Sequence, residues 1–276
     1  MQVAAERPPG PPPHFLLVGA PRSGTTWLAG KLAAHPDLYV PLAKELYFFD
    51  GHWNRGIDWY RRQFLDAGGR LAGEATPLYL AGDRAAERMG QVVPDARLLA
   101  VLREPVSRAW SHYWHRRAWG RERRPFAEAV DDELAGVPLD LDARYLAVGR
   151  YHDQLERLTR HFPRQAIQVA LFDDLKEQPD QVLEDICAFL GVALAWPADE
   201  PETRNASYAL RWYAFHHFMW LRGIYPRLPA RLAIRLHKLN ERAVPPLDVE
   251  LGRRLHDLFA EDNARLASWL DRELPW

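Results

Sequence analysis

The sequence predicts an α/β fold: a central parallel sheet flanked by helices, followed by a helical C-terminal portion. Three observations predict it. Short continuous apolar runs, such as FLLV at Phe15–Val18 and RLLAVL at Arg97–Leu102, alternate with stretches of helical period. That alternation is the pattern of strands buried on both faces by crossover helices. A glycine-bearing loop separates the first run from the first helical stretch, and after about Pro197 the strand pattern vanishes.

The elements follow in order. Phe15–Val18 is a buried strand that ends at Gly19. Thr26–Ala34 has Trp27, Leu28, Lys31 and Leu32 at helical spacing, and His35-Pro36 stops it, because the residue before proline disfavours the α region. Leu38–Val40 reads as a short strand, Ile57–Leu65 as a helix and Arg70–Glu74 as a strand. Arg97–Leu102 is the strongest strand, and Pro105 stands near the start of a helix reaching about Ala118, a position where proline is tolerated. Then come a helix over about Tyr151–His161, a strand over Ala166–Phe172 and a helix over about Asp180–Leu190 closed by Gly191. Residues 207–222 and 247–271 read as helices. The domain reading is one domain over 14–276, with a helical subregion from about 198, preceded by a disordered proline-rich lead-in over 1–13.

Composition bounds the function. The chain has 276 residues, 47% of them apolar and 12% aromatic, enough for a sizeable core. A net charge of -1 gives no global pull toward nucleic acid, so an anion site has to be local. The single cysteine, Cys187, excludes an internal disulfide and a cysteine-rich zinc site. The N-terminal stretch lacks the apolar core of a signal peptide, and no uncharged apolar run reaches membrane-spanning length. The expectation is a soluble cytoplasmic protein, and the many alanines and arginines point to a bacterial source. Oligomeric state is not readable.

The loop GAPRSGTT, Gly19–Thr26, lies between a predicted strand and a predicted helix. Small residues there let backbone N–H groups turn toward an anion, and the helix N-terminus adds partial positive charge. The spacing is that of the nucleotide-hydrolase loop G-x-x-x-x-G-K-[ST], but Thr25 stands where the lysine belongs. Without that lysine the loop is built for a short phosphate group, and Arg22 is its nearest cation. The fold expected is therefore P-loop-like and three-layered.

A second anion motif is VLREPVSRAWSHYWHR, Val101–Arg116. Arg103 comes at the C-terminal end of a predicted strand, the edge at which open parallel sheets bind ligands, and Ser111 follows eight residues on. With Pro21-Arg22-Ser23-Gly24-Thr25-Thr26 and Arg103, Pro105, Arg108, Ser111 and Tyr113 in place, the chain resembles the sulfotransferases that use 3′-phosphoadenosine 5′-phosphosulfate (PAPS). Lys44-Glu45-Leu46-Tyr47-Phe48-Phe49-Asp50 is similar to a stretch of their carbohydrate, heparan-type branch and related bacterial enzymes. So is Glu74-Ala75-Thr76-Pro77-Leu78-Tyr79, except that Ala75 replaces the branch's lysine. Gly149-Arg150-Tyr151 and residues 162–192 follow the family's later half. The resemblance covers roughly residues 14–192.

The resemblance implies transfer of a sulfuryl group from PAPS to a hydroxyl or amine, with release of PAP and no metal. It implies that Pro21, Arg22, Ser23, Gly24, Thr25 and Thr26 hold the 5′-phosphosulfate, and that Arg103 and Ser111 hold the 3′-phosphate. Glu45 is implied as general base, with Arg22 stabilising the departing PAP. Glu74, Tyr79 and Tyr151 are candidates for touching the acceptor, a carbohydrate, a lipid-linked molecule or a small natural product. Of the nearby histidines His35, His52 and His112, none has the context of a histidine base, and His112 is expected to face helix packing or solvent. Two rival readings stand beside this one: a kinase-like P-loop enzyme, and a non-catalytic module that binds PAP or another nucleotide. Residues 204–242 hold eight Lys/Arg against one acid, interleaved with aromatics. They read as a packed helix, as an acceptor pocket or lid, or as a peripheral membrane contact, and the resemblance implies that Arg204 and Asn205, which precede this helix, reach the nucleotide's 3′-phosphate from the other side.

Overall fold

The structure is a computed structural model. It describes residues 10–43, 45–196, 209–212 and 227–276, together with 215, 218, 219, 222 and 224. The backbone forms two compact units: one of residues 1–104, 150–205 and 261–276, the other of residues 105–149 and 206–260.

The first unit is built on a five-stranded sheet. Its strands are β1 (Phe15–Gly19), β2 (Leu38–Tyr39), β3 (Leu71–Ala75), β4 (Arg97–Leu102) and β5 (Ile167–Leu171), ordered β2-β3-β1-β4-β5. Every neighbouring pair is parallel. All five strands stand where the apolar runs place them. The two-residue side-chain period divides each strand between two cores. Leu16, Val18, Leu98 and Ala100 pack with Phe48, Phe49 and Tyr60 in one cluster. Phe15, Leu17, Leu99 and Val101 pack with Leu28, Leu32, Leu183 and Ile186 in the other. Helices α1 (Thr25–Ala34), α2 (Gly56–Arg62), α3 (Ala85–Val92), α6 (Tyr151–Thr159), α7 (Phe172–Glu177) and α8 (Pro179–Leu190) complete this unit. The eight-residue α3 escapes the sequence reading because two turns are too short to set a helical period apart from the loops beside them.

The second unit holds α4 (Pro105–Ala118), α5 (Phe126–Leu134), the helix Ala230–Asn240 and the start of the helix Val249–Leu270. Its core gathers Val106, Tyr113, Phe126, Tyr145, Leu255 and Phe259. Trp110 stacks on Tyr113 at 5.4 Å and donates from Nε1 to the Pro245 carbonyl at 2.9 Å. Two short strands correct the sequence reading here. Ala209–Leu210 is not helical but pairs antiparallel with Glu241–Arg242, and pairs this short carry no legible alternation. The other residues of the expected helix 207–222 lie largely outside the described ones.

The expected lead-in falls outside the described residues as far as residue 9. Gly10 and Pro13 are buried, and the Gly10 carbonyl accepts from Arg61 Nε at 2.8 Å. Among the described residues no helix is long and apolar enough to cross a membrane.

The close contact that shapes the sheet edge is at Gly19, where a Cβ would lie 2.6 Å from Leu80 Cβ. Gly19→Ala should therefore lower stability by about 1–3 kcal/mol, the cost of overpacking a filled site, measured as a shift in the urea midpoint at constant slope.

Candidate active site

The loop after β1 is positioned by its neighbours. Ala20 N–H donates to the Val101 carbonyl of β4 at 2.7 Å. On the other side Thr76 N–H donates to the Leu17 carbonyl at 3.1 Å and Leu80 N–H to that of Val18 at 2.9 Å. The chain then turns through Arg22, at φ 68°, and Gly24, at φ 90°, into α1. Gly24 caps that helix with no side-chain hydrogen bond. A Cβ at Gly24 would meet Leu175 at 3.1 Å and Phe172 at 3.2 Å, in a left-handed conformation that already favours glycine. Ser23 is fully buried, and its Oγ has no hydrogen-bond partner among the described residues. Thr25 is buried at the first helical turn and Thr26 half-buried beside it. A buried hydroxyl without a partner at the N-terminal end of a helix, with the helix dipole behind it, fits a phosphate-type oxyanion.

Arg103, one residue past β4, meets this loop. Its Nη1 donates to the Arg22 carbonyl at 3.2 Å, and its guanidinium lies over the Phe172 ring at 4.9 Å. Burial lowers its pKa, yet an arginine keeps its charge. Tyr151, at the start of α6, is fully buried and donates its hydroxyl to the Arg103 carbonyl at 2.9 Å. Tyr151 therefore fixes the backbone that carries Arg103.

Glu45 reaches the same sheet edge from the neighbouring strand. Its N–H donates to the Ala75 carbonyl, the last of β3, at 3.1 Å. Its backbone is left-handed at φ 65°, as is that of Tyr47 at φ 50°. The Tyr47 hydroxyl donates to Glu45 Oε2. Phe48 and Phe49 anchor the segment in the core, Phe48 stacked on Tyr60 at 4.3 Å. Non-glycine residues held in this region of backbone space cluster at functional sites.

Glu74 and Tyr79 sit beneath that segment. Glu74 is 1% exposed and Tyr79 fully buried, so neither presents a face to an incoming acceptor, and nor does Tyr151. Glu74 accepts hydroxyl hydrogen bonds from Tyr60 at 2.6 Å, Thr76 at 2.9 Å and Tyr79 at 3.1 Å. Burial raises its carboxyl from 4.5 to about 7 against the pull of those three donors. Sequence reasoning gave no role to Tyr47, Tyr60 or Thr76; the signal for Tyr47 and Thr76 was their place within the two stretches that resemble the family, and Tyr60 had none.

In the second unit Ser111 is buried on α4. Arg108 is fully buried, donating to the Tyr145 carbonyl and, at 3.3 Å, to His112 Nδ1. A ring nitrogen that accepts is unprotonated, and burial lowers the His112 pKa to about 4. His112 Nε2 donates to Asp142 at 3.0 Å, so this histidine packs inside its unit, as one of the two expectations for it has it. His52 bonds the Leu46 carbonyl at 2.9 Å and His35 the Ala193 carbonyl at 2.8 Å. Lys44 and residues 204–208 lie outside the described residues; of the basic aromatic segment, Trp212, Phe215 and Phe218 are at least half exposed. No cluster of His, Cys, Asp or Glu among the described residues is placed to hold a metal.

Glu74 makes stability depend on pH. An acid with a raised folded-state pKa contributes stability fully below its unfolded pKa and loses it as pH rises through the folded one. Relative to Glu74→Gln, the wild-type unfolding free energy should fall by about 3 kcal/mol from pH 4.5 to pH 8, read by urea unfolding at each pH.

Known proteins are similar to this chain in sequence and fold. The family model described as "Sulfotransferase domain" matches residues 12–210. The crystal structure of a sulfotransferase from Alicyclobacillus acidocaldarius is similar over 95% of this chain and 97% of its own, at 30% identity and a TM-score of 0.71. The bovine bifunctional heparan sulfate N-deacetylase/N-sulfotransferase 2 is 27% identical over 94% of this chain and 30% of its own length. Human heparan sulfate glucosamine 3-O-sulfotransferase 3B1 is 25% identical over 96% of this chain and 65% of its own. The chain thus spans under a third of the first of these two curated relatives and just under two thirds of the second.

Proposed function

The chain belongs to the sulfotransferase domain family, and from that premise we propose that it transfers a sulfuryl group from PAPS to a hydroxyl or amine of a small or glycan acceptor, releasing PAP. The observation that carries this reading is the 3.2 Å hydrogen bond from Arg103 to the Arg22 carbonyl. It joins two anion motifs that lie 81 residues apart in sequence, and PAPS carries an anionic group for each.

In this reading the loop N–H groups with Ser23, Gly24, Thr25 and Thr26 hold the 5′-phosphate, and Pro21 stiffens the entry to the loop. Arg103 takes the 3′-phosphate, and the sequence motif adds Ser111. Bound PAPS supplies an activated sulfuryl group on a good leaving group. The bond from sulfur to the 5′-phosphate oxygen breaks as the bond to the acceptor oxygen or nitrogen forms. Glu45 receives the acceptor's proton. Arg22 stabilises the negative charge that builds on the bridging oxygen; as an arginine it acts electrostatically and gives up no proton. Positioning and charge then account for most of the rate, as in phosphoryl transfer. Relatives that sulfate nitrogen and oxygen are similar over nearly the whole chain, so both acceptor atoms stay within the proposal. Thr25 in the lysine position speaks against the kinase-like alternative.

Glu45→Gln should cut kcat by roughly 10²–10⁴-fold with PAP affinity unchanged, measured by steady-state turnover and calorimetry. Near wild-type turnover removes Glu45 from the base role. Arg103→Ala should weaken PAP at least about tenfold more than adenosine 5′-phosphosulfate, which lacks the 3′-phosphate. Equal weakening reassigns the second site. The exposed Trp212, Phe215 and Phe218 among arginines support a membrane contact as an adjunct; co-sedimentation with anionic but not neutral vesicles is the expected result.

A further inference from the structure

We propose that Glu74 is a positioning residue for Glu45, acting through the Tyr79 and Thr76 hydroxyls on the backbone N–H groups of Phe48 and Tyr47. The inference rests on the reading of Glu45 as general base.

Each hydroxyl both donates and accepts, and that of Tyr79 also accepts the Phe49 N–H at 3.4 Å. Tyr79 donates its proton to Glu74 at 3.1 Å and accepts the Phe48 N–H at 2.7 Å. Thr76 donates to Glu74 at 2.9 Å and accepts the Tyr47 N–H at the longer distance of 3.4 Å. A hydroxyl has one proton to give. An ionised carboxylate only accepts, so it draws both protons inward and leaves both oxygens turned to the backbone donors. A protonated carboxyl, or a glutamine amide, brings a donor of its own. That donor has to point at one of the same oxygens and compete with the backbone N–H. The charge on Glu74 therefore sets the direction of the whole network.

The segment under control is the strained one. Glu45 at φ 65° and Tyr47 at φ 50° both occupy the left-handed region, at a cost of about 1–2 kcal/mol each. Such a backbone persists only where surrounding bonds over-determine it. Here those bonds are Glu45 N–H to Ala75, Tyr47 N–H to Thr76 and Phe48 N–H to Tyr79. From Tyr47 the path returns to the reacting group, because its hydroxyl donates to the Glu45 carboxylate. Glu74 itself, 1% exposed and enclosed by three hydroxyls, does not reach a substrate. The groups facing it are Tyr60 from α2, Thr76 and Tyr79 from the turn after β3 and, through its charge, Asp50 from the Glu45 segment.

The test is amide exchange by NMR at Tyr47 and Phe48 in the PAP-bound protein, read beside kcat and KM, for wild type, Glu74→Gln and Tyr79→Phe. Both variants should lose protection at Phe48 by about tenfold or more, the scale of one lost buried hydrogen bond. Their kcat should fall with KM for PAPS unchanged. The wild-type kcat should show an acid limb centred near pH 7 that Glu74→Gln lacks. Should Glu74→Gln fail to fold, Tyr79→Phe, which keeps the ring, carries the comparison. Wild-type protection in the variants overturns the proposal at Glu74 itself. Lost protection with wild-type kcat overturns it through its premise, because Glu45 is then not the base.

Discussion

The end of β1 has to stay bonded on both sides while its chain turns away into a loop. Thr76 and Leu80 hold it from one side and Val101 from the other. That constraint organises the candidate site. Because β3 and β4 flank β1, the segments leaving all three strands emerge at one sheet edge. The first supplies Arg22 and the glycine-bearing loop, the second lies against Glu45, and the third supplies Arg103. The chain runs from β1 to one side of the sheet and returns to the other for β4, which is the switch in strand order where open α/β sheets place their ligands.

Stability is given up at this edge. Arg22, Glu45 and Tyr47 are held in left-handed backbone, and Glu74 is a carboxyl buried among hydroxyls with its pKa raised to about 7. Each feature disfavours the folded state on its own. Each also has bonds around it that leave one geometry: Arg103 on the Arg22 carbonyl, Ala75 on the Glu45 N–H, Tyr79 on Phe48. The cores on either side of the sheet supply the free energy that offsets them.

The five strands were legible because continuous apolar runs bounded by glycine or proline are hard to read in any other way. The loop and Arg103 were legible because their spacing is tied to a strand end. The support beneath them was not. Tyr60 looks like one more aromatic on a helix, and Thr76 like one more turn residue. Their role appears only once Glu74, fourteen residues from Tyr60, is seen to accept both hydroxyls. The paired strands Ala209–Leu210 and Glu241–Arg242 were invisible for another reason: two residues cannot display a period of two. Composition gave no sign that Gly10 and Pro13, at the end of the proline-rich stretch, are buried.

The central claim is that this edge moves a sulfuryl group from PAPS to an acceptor. The most direct measurement is incubation of the purified protein with PAPS labelled on the sulfuryl group and an extract of the native cell, with the labelled products separated and PAP quantified. The account predicts label in a discrete acceptor, with PAP released in equal amount. Tight PAP binding with no label transferred to any molecule would contradict it and leave a nucleotide-binding module in its place.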